Sequence, residues 1–310
     1  MVQAGALMKP VVGIVGPTAV GKTALGVAIA RRFGGEVVSG DAFQCYRGMD
    51  VGTAKVRPEE TGGIPHHLID ILDPEEAFSV SDYQKRVRGK IAELHGKGIL
   101  PVVVGGSGLY VQAALYDYRF AGAGRDQRRD EAVAGVSTET LYETLRRRDP
   151  ARAEAIGPAN RRRILRMLDI LDSAAPSDLD SEQGKTPFYP DLTMIGLSMP
   201  RDILAGRIAE RVDEMMRRGL LEEVRALYDR GVRTQAVQAI GYRELYRHLD
   251  GELSLAEAVE QIKIHSRQFA KRQMTWFSNR MAVDWFTVDP VRFEDTVEAV
   301  CASLGGRLAR

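Results

Sequence analysis

The sequence predicts an α/β fold: a parallel sheet flanked by helices, interrupted by an all-helical insertion. Three observations carry this. Short apolar runs alternate with helix-length amphipathic stretches from Val11 to about Tyr116; a glycine-framed loop joins the first run to the first helix; and strand-like runs stop near Asp117 and return only at Thr193. A chain of 310 residues can bury a full core, as one large domain with an insertion or as two domains.

The first apolar run, Val11 to Val15, stops at Gly16-Pro17-Thr18-Ala19-Val20-Gly21-Lys22-Thr23, which fills every position of G-x-x-x-x-G-K-[ST]. In that arrangement glycines let backbone N–H groups close around phosphate oxygens, and the helix that follows, Thr23 to Phe33, turns its positive dipole end toward them. Lys22 adds a point charge, and the Thr23 hydroxyl can ligate Mg²⁺. The core is therefore P-loop NTPase-like, and the loop alone leaves open which phosphate ligand it holds.

Further strands follow at Glu36 to Ser39, His67 to Leu72 and Ile99 to Val104, with the helix Ser81 to His95 before the last. Parallel sheets bind ligands at the carboxyl ends of their strands, and three of these runs end suitably: in the phosphate loop, in Ser39-Gly40-Asp41, and in Gly105-Gly106-Ser107-Gly108. Asp41 reads as a general base or metal ligand, or equally as a turn former. The glycines of 105–108 mark close backbone approach, to a packed helix or to a substrate. No acidic residue ends the strand Val102 to Val104, where an ATP-hydrolysing core would hold Mg²⁺. Only Ile69-Asp70-Ile71-Leu72-Asp73 imitates such a strand, and Asp73-Pro74 reads as well as a turn.

From Asp117 to Ser173 the chain is helical and rich in arginine, with helices at Thr138 to Arg148 and Asn160 to Leu171; Ile164, Leu165, Leu168 and Leu171 have core-facing spacing. Ser173 to Pro187 reads as a long mobile connection. Thr193 to Leu197 returns to the sheet, which places the core at 1–117 and 188–310 and the insertion at 118–187. Helices Arg201 to Arg218, Leu220 to Arg230, Ala239 to His248 and Ser254 to Asn279 follow, and Val283 to Val288 closes the sheet.

The net charge of +1 does not announce a nucleic-acid partner, but its distribution is uneven. Arg161, Arg162, Arg163 and Arg166 cluster in the insertion. Lys263, Arg267 and Lys271 recur every fourth residue with Arg272 and Arg280 nearby, and no Asp or Glu occurs from Gln261 to Arg280. These read as solvated faces or as a phosphate-backbone surface, with Trp276 and Phe277 as core or as stacking groups. Arg207 and Arg211, one turn apart, can reach a phosphate or pair with Glu210 and Glu214. The two cysteines, Cys45 and Cys301, match no metal spacing, the histidines form no ligand set, and no window approaches the ~20 apolar residues of a membrane span. The expectation is a reduced, cytoplasmic protein with no membrane partner.

Together these segments resemble the tRNA dimethylallyltransferases, also called tRNA isopentenyltransferases. The resemblance rests on the loop 16–23; on Asp41-Ala42-Phe43-Gln44-Cys45-Tyr46 with Gly48-Met49-Asp50-Val51-Gly52-Thr53-Ala54-Lys55; on Gly105-Gly106-Ser107-Gly108-Leu109-Tyr110; and on Ala270-Lys271-Arg272-Gln273-Met274-Thr275-Trp276. Segments 160–166 and Ile240-Gly241-Tyr242-Arg243-Glu244 extend it over nearly the whole chain. It implies dimethylallyl diphosphate as donor, the N6 of the adenosine just 3′ of the tRNA anticodon as acceptor, and Mg²⁺ as cofactor. It implies that the insertion grips the anticodon stem-loop, with the protein expected to be a monomer. It implies Asp41 as base, Thr18 and Ser107 at the reacting groups, Arg211 on the diphosphate with the loop 16–23, and Thr23 at the metal. It implies tRNA contacts at Asp41, Ala42, Phe43, Gln44, Ser107, Arg129, Arg162, Arg163, Ile164, Leu165, Arg166, Gln238, Ala239, Ile240, Gly241, Tyr242, Arg243, Lys271 and Arg272. Ala42 stands where a serine is usual, Cys45 where valine is common and Ser107 where threonine is usual; the cysteines for the zinc finger of some eukaryotic members are lacking. A small-molecule kinase, an adenylate isopentenyltransferase and a P-loop RNA-binding protein without transfer chemistry are the alternatives.

Overall fold

The structure, a computed structural model, describes residues 9–120, 132–173 and 184–308. It divides into two compact units: Met1–Tyr118 with Gly184–Arg310, and Arg119–Gln183.

In the larger unit six strands form one sheet: β1 (Val11–Val15), β2 (Gly35–Ser39), β3 (His66–His67), β4 (Leu100–Val104), β5 (Leu192–Ser198) and β6 (Asp284–Thr287). Their order is β3-β2-β4-β1-β5-β6, and every pairing is parallel. Such a sheet is covered on both faces, so β1 has no polar side. Val11 and Val15 enter one hydrophobic cluster and Val12 and Ile14 the other, all at 0% exposure. Val104 pairs with both Ser39 and Ile14, which brings the carboxyl ends of β2, β4 and β1 level at one sheet edge.

The helices of this unit are α1 (Lys22–Phe33), α2 (Val80–Gly96), α3 (Gly108–Leu115), then, after the insertion, α7 (Arg201–Arg217), α8 (Leu220–Asp229), α9 (Tyr242–Leu249), α10 (Leu255–Arg280) and α11 (Phe293–Leu308). Ser79 and Ser254 cap α2 and α10, accepting the N–H groups of Asp82 and Glu257 at 3.1 and 3.3 Å. No helix among the described residues is long and apolar enough to cross a membrane.

The smaller unit holds α4 (Thr138–Arg148), α5 (Pro150–Ile156) and α6 (Arg161–Ser173). Leu141, Leu145, Ala153, Ile164 and Leu168 form its core, with Leu165 and Leu171 packed against it. Most of the 173–187 connection, and Arg129, lie outside the described residues.

Two expectations are corrected. His67 to Leu72 is not a strand: only His66–His67 pairs with β2, because Leu68 and Asp70 take φ of 61° and 55°, and Leu72 makes an isolated bridge to Tyr46. Lys55 holds that turn, donating to Asp70 Oδ1 at 2.6 Å. The helix expected over Ala239 to His248 forms but starts only at Tyr242, because Gly241 at φ 101° stands before its first turn and a short 3-10 turn, Ala236–Gln238, precedes it. The sequence reading also passed over α3 and α11; α3 is buried over Val111–Leu115, which leaves it no amphipathic period to read.

Candidate active site

The phosphate loop leaves β1 through Gly16 at φ 145°, where a Cβ would lie 2.5 Å from the Leu197 carbonyl oxygen of β5. It enters α1 through Gly21 at φ 103°, against the ring of Phe293. Side chains are thus excluded at both hinges, and the intervening backbone can face a ligand. Pro17 is buried and Val20 is a core residue, so Thr18, Ala19, Lys22 and Thr23 are the side chains the loop presents. Lys22 Nζ folds back onto the Pro17 carbonyl at 2.7 Å. Burial in the cleft, followed by the charge of Arg211, pushes its pKa down to about 7 against the pull of Asp41.

Asp41 follows β2 at the same edge. Its Oδ1 accepts the Phe43 N–H at 2.9 Å, so it does close a turn, as an aspartate after a strand commonly does. It is also recessed beside Lys22 and Arg211: desolvation raises its pKa, opposed first by the Phe43 N–H and then by Lys22. A carboxylate more basic than usual, next to a phosphate cradle, is suited to take a proton.

The 105–108 glycines mark close packing within the protein. A Cβ on Gly105 would lie 2.1 Å from the Gly40 carbonyl oxygen, so β2 and β4 can end side by side only without it. One on Gly106 would meet Gln273 at 2.2 Å, and one on Gly108 the Trp276 ring at 2.5 Å. Between them the Ser107 Oγ accepts the Ala42 N–H at 3.1 Å. What Ala42 contributes here is backbone, which a serine would equally supply. Gln44 is braced at both ends, accepting from Ser39 Oγ at 3.0 Å and donating to Thr53 and Ala54 carbonyls at 3.3 and 3.4 Å.

Two cavities open on this edge. The larger, about 840 Å³, runs along the phosphate loop and includes the exposed Thr23; the smaller, about 290 Å³, is bounded by Phe43, Ser107, Arg272 and the Gln238–Arg243 segment. Thr18, Asp41, Thr53, Arg211 and Phe269 line both. Ile208, Val212, Met215 and Ile262 give the smaller cavity an apolar side. Of the two candidate arginines on α7, Arg211 faces the junction, while Arg207 donates to the Ala19 carbonyl at 3.0 Å. Thr23 offers one hydroxyl beside a phosphate cradle, a donor set that fits Mg²⁺, which takes its remaining ligands from phosphate and water.

Other predicted contacts distribute unevenly. Gln238 is exposed and Arg243 half-buried, but Tyr242 is fully buried with its hydroxyl donating to Glu223 at 2.5 Å, and Ala239 is nearly so; Ile240 and Gly241 line the smaller cavity. Lys271 and Arg272 are exposed, and Lys271 lines neither cavity. In the insertion, Arg162 and Arg163 are exposed and Leu165 and Arg166 half-buried, whereas Ile164 is wholly inside that unit's core and offers no side chain to a partner. The α10 cations are not all unpartnered: Lys263 pairs with Asp213 of α7 at 2.6 Å, and Arg267 with Glu260, just before the acid-free stretch on α10 itself, at 3.5 Å. Phe277 is core and Trp276 packs on Gly108, so neither is a free stacking platform. Asp70 and Asp73 pair with Lys55 and Arg47 at 2.6 and 3.0 Å, away from the metal-holding role.

Gln273, quoted above only within the segment 270–276, and Glu223 were not among the expected site residues. Glu223 of α8 accepts the N–H groups of Asp50 and Val51 at 2.8 Å and of Gly52 at 3.0 Å, as well as the Tyr242 hydroxyl. It thereby ties the loop before Thr53 to the wall of the smaller cavity. Nothing in the local sequence marks it.

A family model described as "IPP transferase" matches residues 44–280. The tRNA dimethylallyltransferase of Geobacillus thermodenitrificans is 48% identical over 309 residues, covering 97% of this chain and 98% of that one. Its counterpart in Bacillus subtilis is 47% identical over 308 residues with the same coverage. Among solved structures, the full-length tRNA isopentenylpyrophosphate transferase of Bacillus halodurans matches with a TM-score of 0.74 at 44% identity, over 97% of each chain. A eukaryotic dimethylallyltransferase acting on tRNA matches with a TM-score of 0.81 at 27% identity, over 97% of this chain and 79% of the other. With a match over most of its length, and relatives nearly half identical from end to end, this chain belongs to the IPP transferase family.

Proposed function

We propose that this protein transfers a dimethylallyl group from dimethylallyl diphosphate to N6 of the adenosine just 3′ of the anticodon in tRNA, releasing diphosphate. The observation that carries the reading is the junction of two cavities at Asp41, Thr18 and Arg211, one lined by a phosphate loop and the other having an apolar side. The diphosphate lies along residues 16–23 with Lys22 and Arg211, and the five-carbon chain reaches the junction. The bond between the allylic carbon and the bridging oxygen breaks, that carbon bonds to N6, and the N6 proton passes to Asp41. An adenine amine is a poor nucleophile because its lone pair is delocalised into the ring; a positioned base is worth about 10²- to 10⁴-fold. Charge building on the leaving oxygen is met by Lys22, Arg211 and loop N–H groups. Bound with the diphosphate at Thr23, Mg²⁺ would supply further charge neutralisation. The adenosine must leave its stack to reach Asp41, and the Gln238–Arg243 segment, Lys271, Arg272, Arg162 and Arg163 are the groups proposed to hold the stem-loop around it. The protein is proposed to act as a monomer in the cytoplasm.

The test is incubation with unmodified tRNA and either labelled dimethylallyl diphosphate or labelled ATP. Label entering tRNA from the allylic donor alone is the expected result. Phosphate transfer from ATP would replace this reading with a kinase, and transfer to free AMP with none to tRNA would make it an adenylate isopentenyltransferase.

A further inference from the structure

Gln273 belongs to neither loop of the site, yet it joins them. It lies on α10 beside Arg272, is buried at 4% exposure, and lines the larger cavity. Its Oε1 accepts the Thr18 N–H at 2.9 Å, and its Nε2 donates to the Gly106 carbonyl at 2.8 Å. The fit is reciprocal, because only a glycine at 106 leaves room for that amide. A carboxamide is suited to this place because it ends in one acceptor and two donors; glutamate lacks the donor and methionine has neither at comparable strength. Thr18 is followed by Ala19 at φ 65°, a left-handed conformation that a non-glycine residue holds only when its surroundings fix it.

We propose that Gln273 is a positioning residue for the transfer: it sets the spacing between the phosphate loop at Thr18 and the turn at Gly106 and Ser107. The groups that hold the departing diphosphate and those that face the acceptor are then in register before either ligand arrives. This rests on the transferase reading for the reaction it serves, but its geometry concerns the two loops alone. A merely structural glutamine would lower stability and leave the kinetic constants in place. A positioning one lowers the rate at saturation and the affinity for the anion.

The experiment compares the full chain with Gln273→Met, Gln273→Glu and Gly106→Ala. Three quantities are read: affinity for inorganic diphosphate by calorimetry, affinity for tRNA by filter binding, and the single-turnover rate with both substrates saturating. Gln273→Met is expected to bind diphosphate about tenfold more weakly and to transfer about 10- to 100-fold more slowly, with tRNA affinity within about twofold of wild type. Gln273→Glu, which keeps the acceptor for Thr18, falls between. Gly106→Ala displaces the same amide and reproduces the loss, and the Gly106→Ala/Gln273→Met double variant is no slower than the slower single one. Wild-type diphosphate affinity and saturated rate in Gln273→Met, with loss confined to melting temperature or tRNA binding, would overturn the proposal. Should Gln273→Met not fold, Gln273→Glu and Gly106→Ala answer the same question. A wild-type chain that does not prenylate tRNA would defeat the transferase reading instead, while the diphosphate measurement would still decide Gln273.

Discussion

Burial moves Lys22 and Asp41 in opposite directions on the pH scale, and both shifts have signs that can be checked. Lys22 is pushed down to about 7, so between that pH and its ordinary 10.5 the unfolded chain binds more protons and this group's contribution to stability rises with pH. For Asp41, raised above 3.8, the folded chain binds more protons just above that value, and its contribution falls as pH rises through the window. An arriving diphosphate favours protonated Lys22. Diphosphate binding at pH 8 should therefore take up a proton, visible as a buffer-dependent heat in calorimetry, and the uptake should disappear in Lys22→Arg. For Asp41, asparagine is the informative replacement, because its Oδ1 can still accept the Phe43 N–H that closes the turn. Asp41→Asn should slow single-turnover transfer by about 10²- to 10⁴-fold with tRNA affinity nearly unchanged. The acid limb of the wild-type rate profile should lie above the usual carboxylate range. Intact chemistry with lost tRNA affinity would remove Asp41 from the base role.

At the level of elements, Glu223 shows what local pattern cannot reveal. Glu223→Ala leaves three backbone N–H groups of residues 50–52 and the Tyr242 hydroxyl without their acceptor, and should lower stability by about 2 kcal/mol, read by chemical denaturation. Tyr242→Phe, which removes one of those four bonds, should lose less. Gly105→Ala should be worse than either, by about 3 kcal/mol, since its Cβ would lie against the Gly40 backbone and press β2 away from β4. The strands and the phosphate loop were legible because apolar runs and glycine positions are local signals. His67 to Leu72 misled because its apolar residues answer to a turn fixed by Lys55, fifteen positions before Asp70 in a pairing no period encodes. Asp41 and Ser107 stand out as candidates from their places after strands, whereas a role for Thr18 is implied only by the family resemblance. Gln273 stands inside a segment that carries the resemblance, but its bonds to Thr18 and Gly106, like those of Glu223 to residues 50–52, span more of the chain than any local pattern.

Over the whole molecule, a net charge of +1 coexists with exposed cations on separate elements, Lys271 and Arg272 on α10 and Arg162 and Arg163 on α6. Binding of tRNA should accordingly weaken linearly in log affinity against log salt, and replacing Lys271 or Arg272 by glutamine should reduce that slope by about 0.7 to 0.9 each if each meets one phosphate. An unchanged slope would place that residue off the nucleic acid. The sheet order has a further consequence, for the birth of the protein. β1 is the first strand made and a central one, held on one side by β4 and on the other by β5, which begins only at Leu192. A growing chain therefore carries the phosphate loop on a strand with one bare edge while the helices of the Arg119–Gln183 unit, which contact one another locally, are already complete. Translation pauses before β5 would prolong the exposure of that edge, so the interval most open to aggregation is set by how quickly the ribosome passes the insertion.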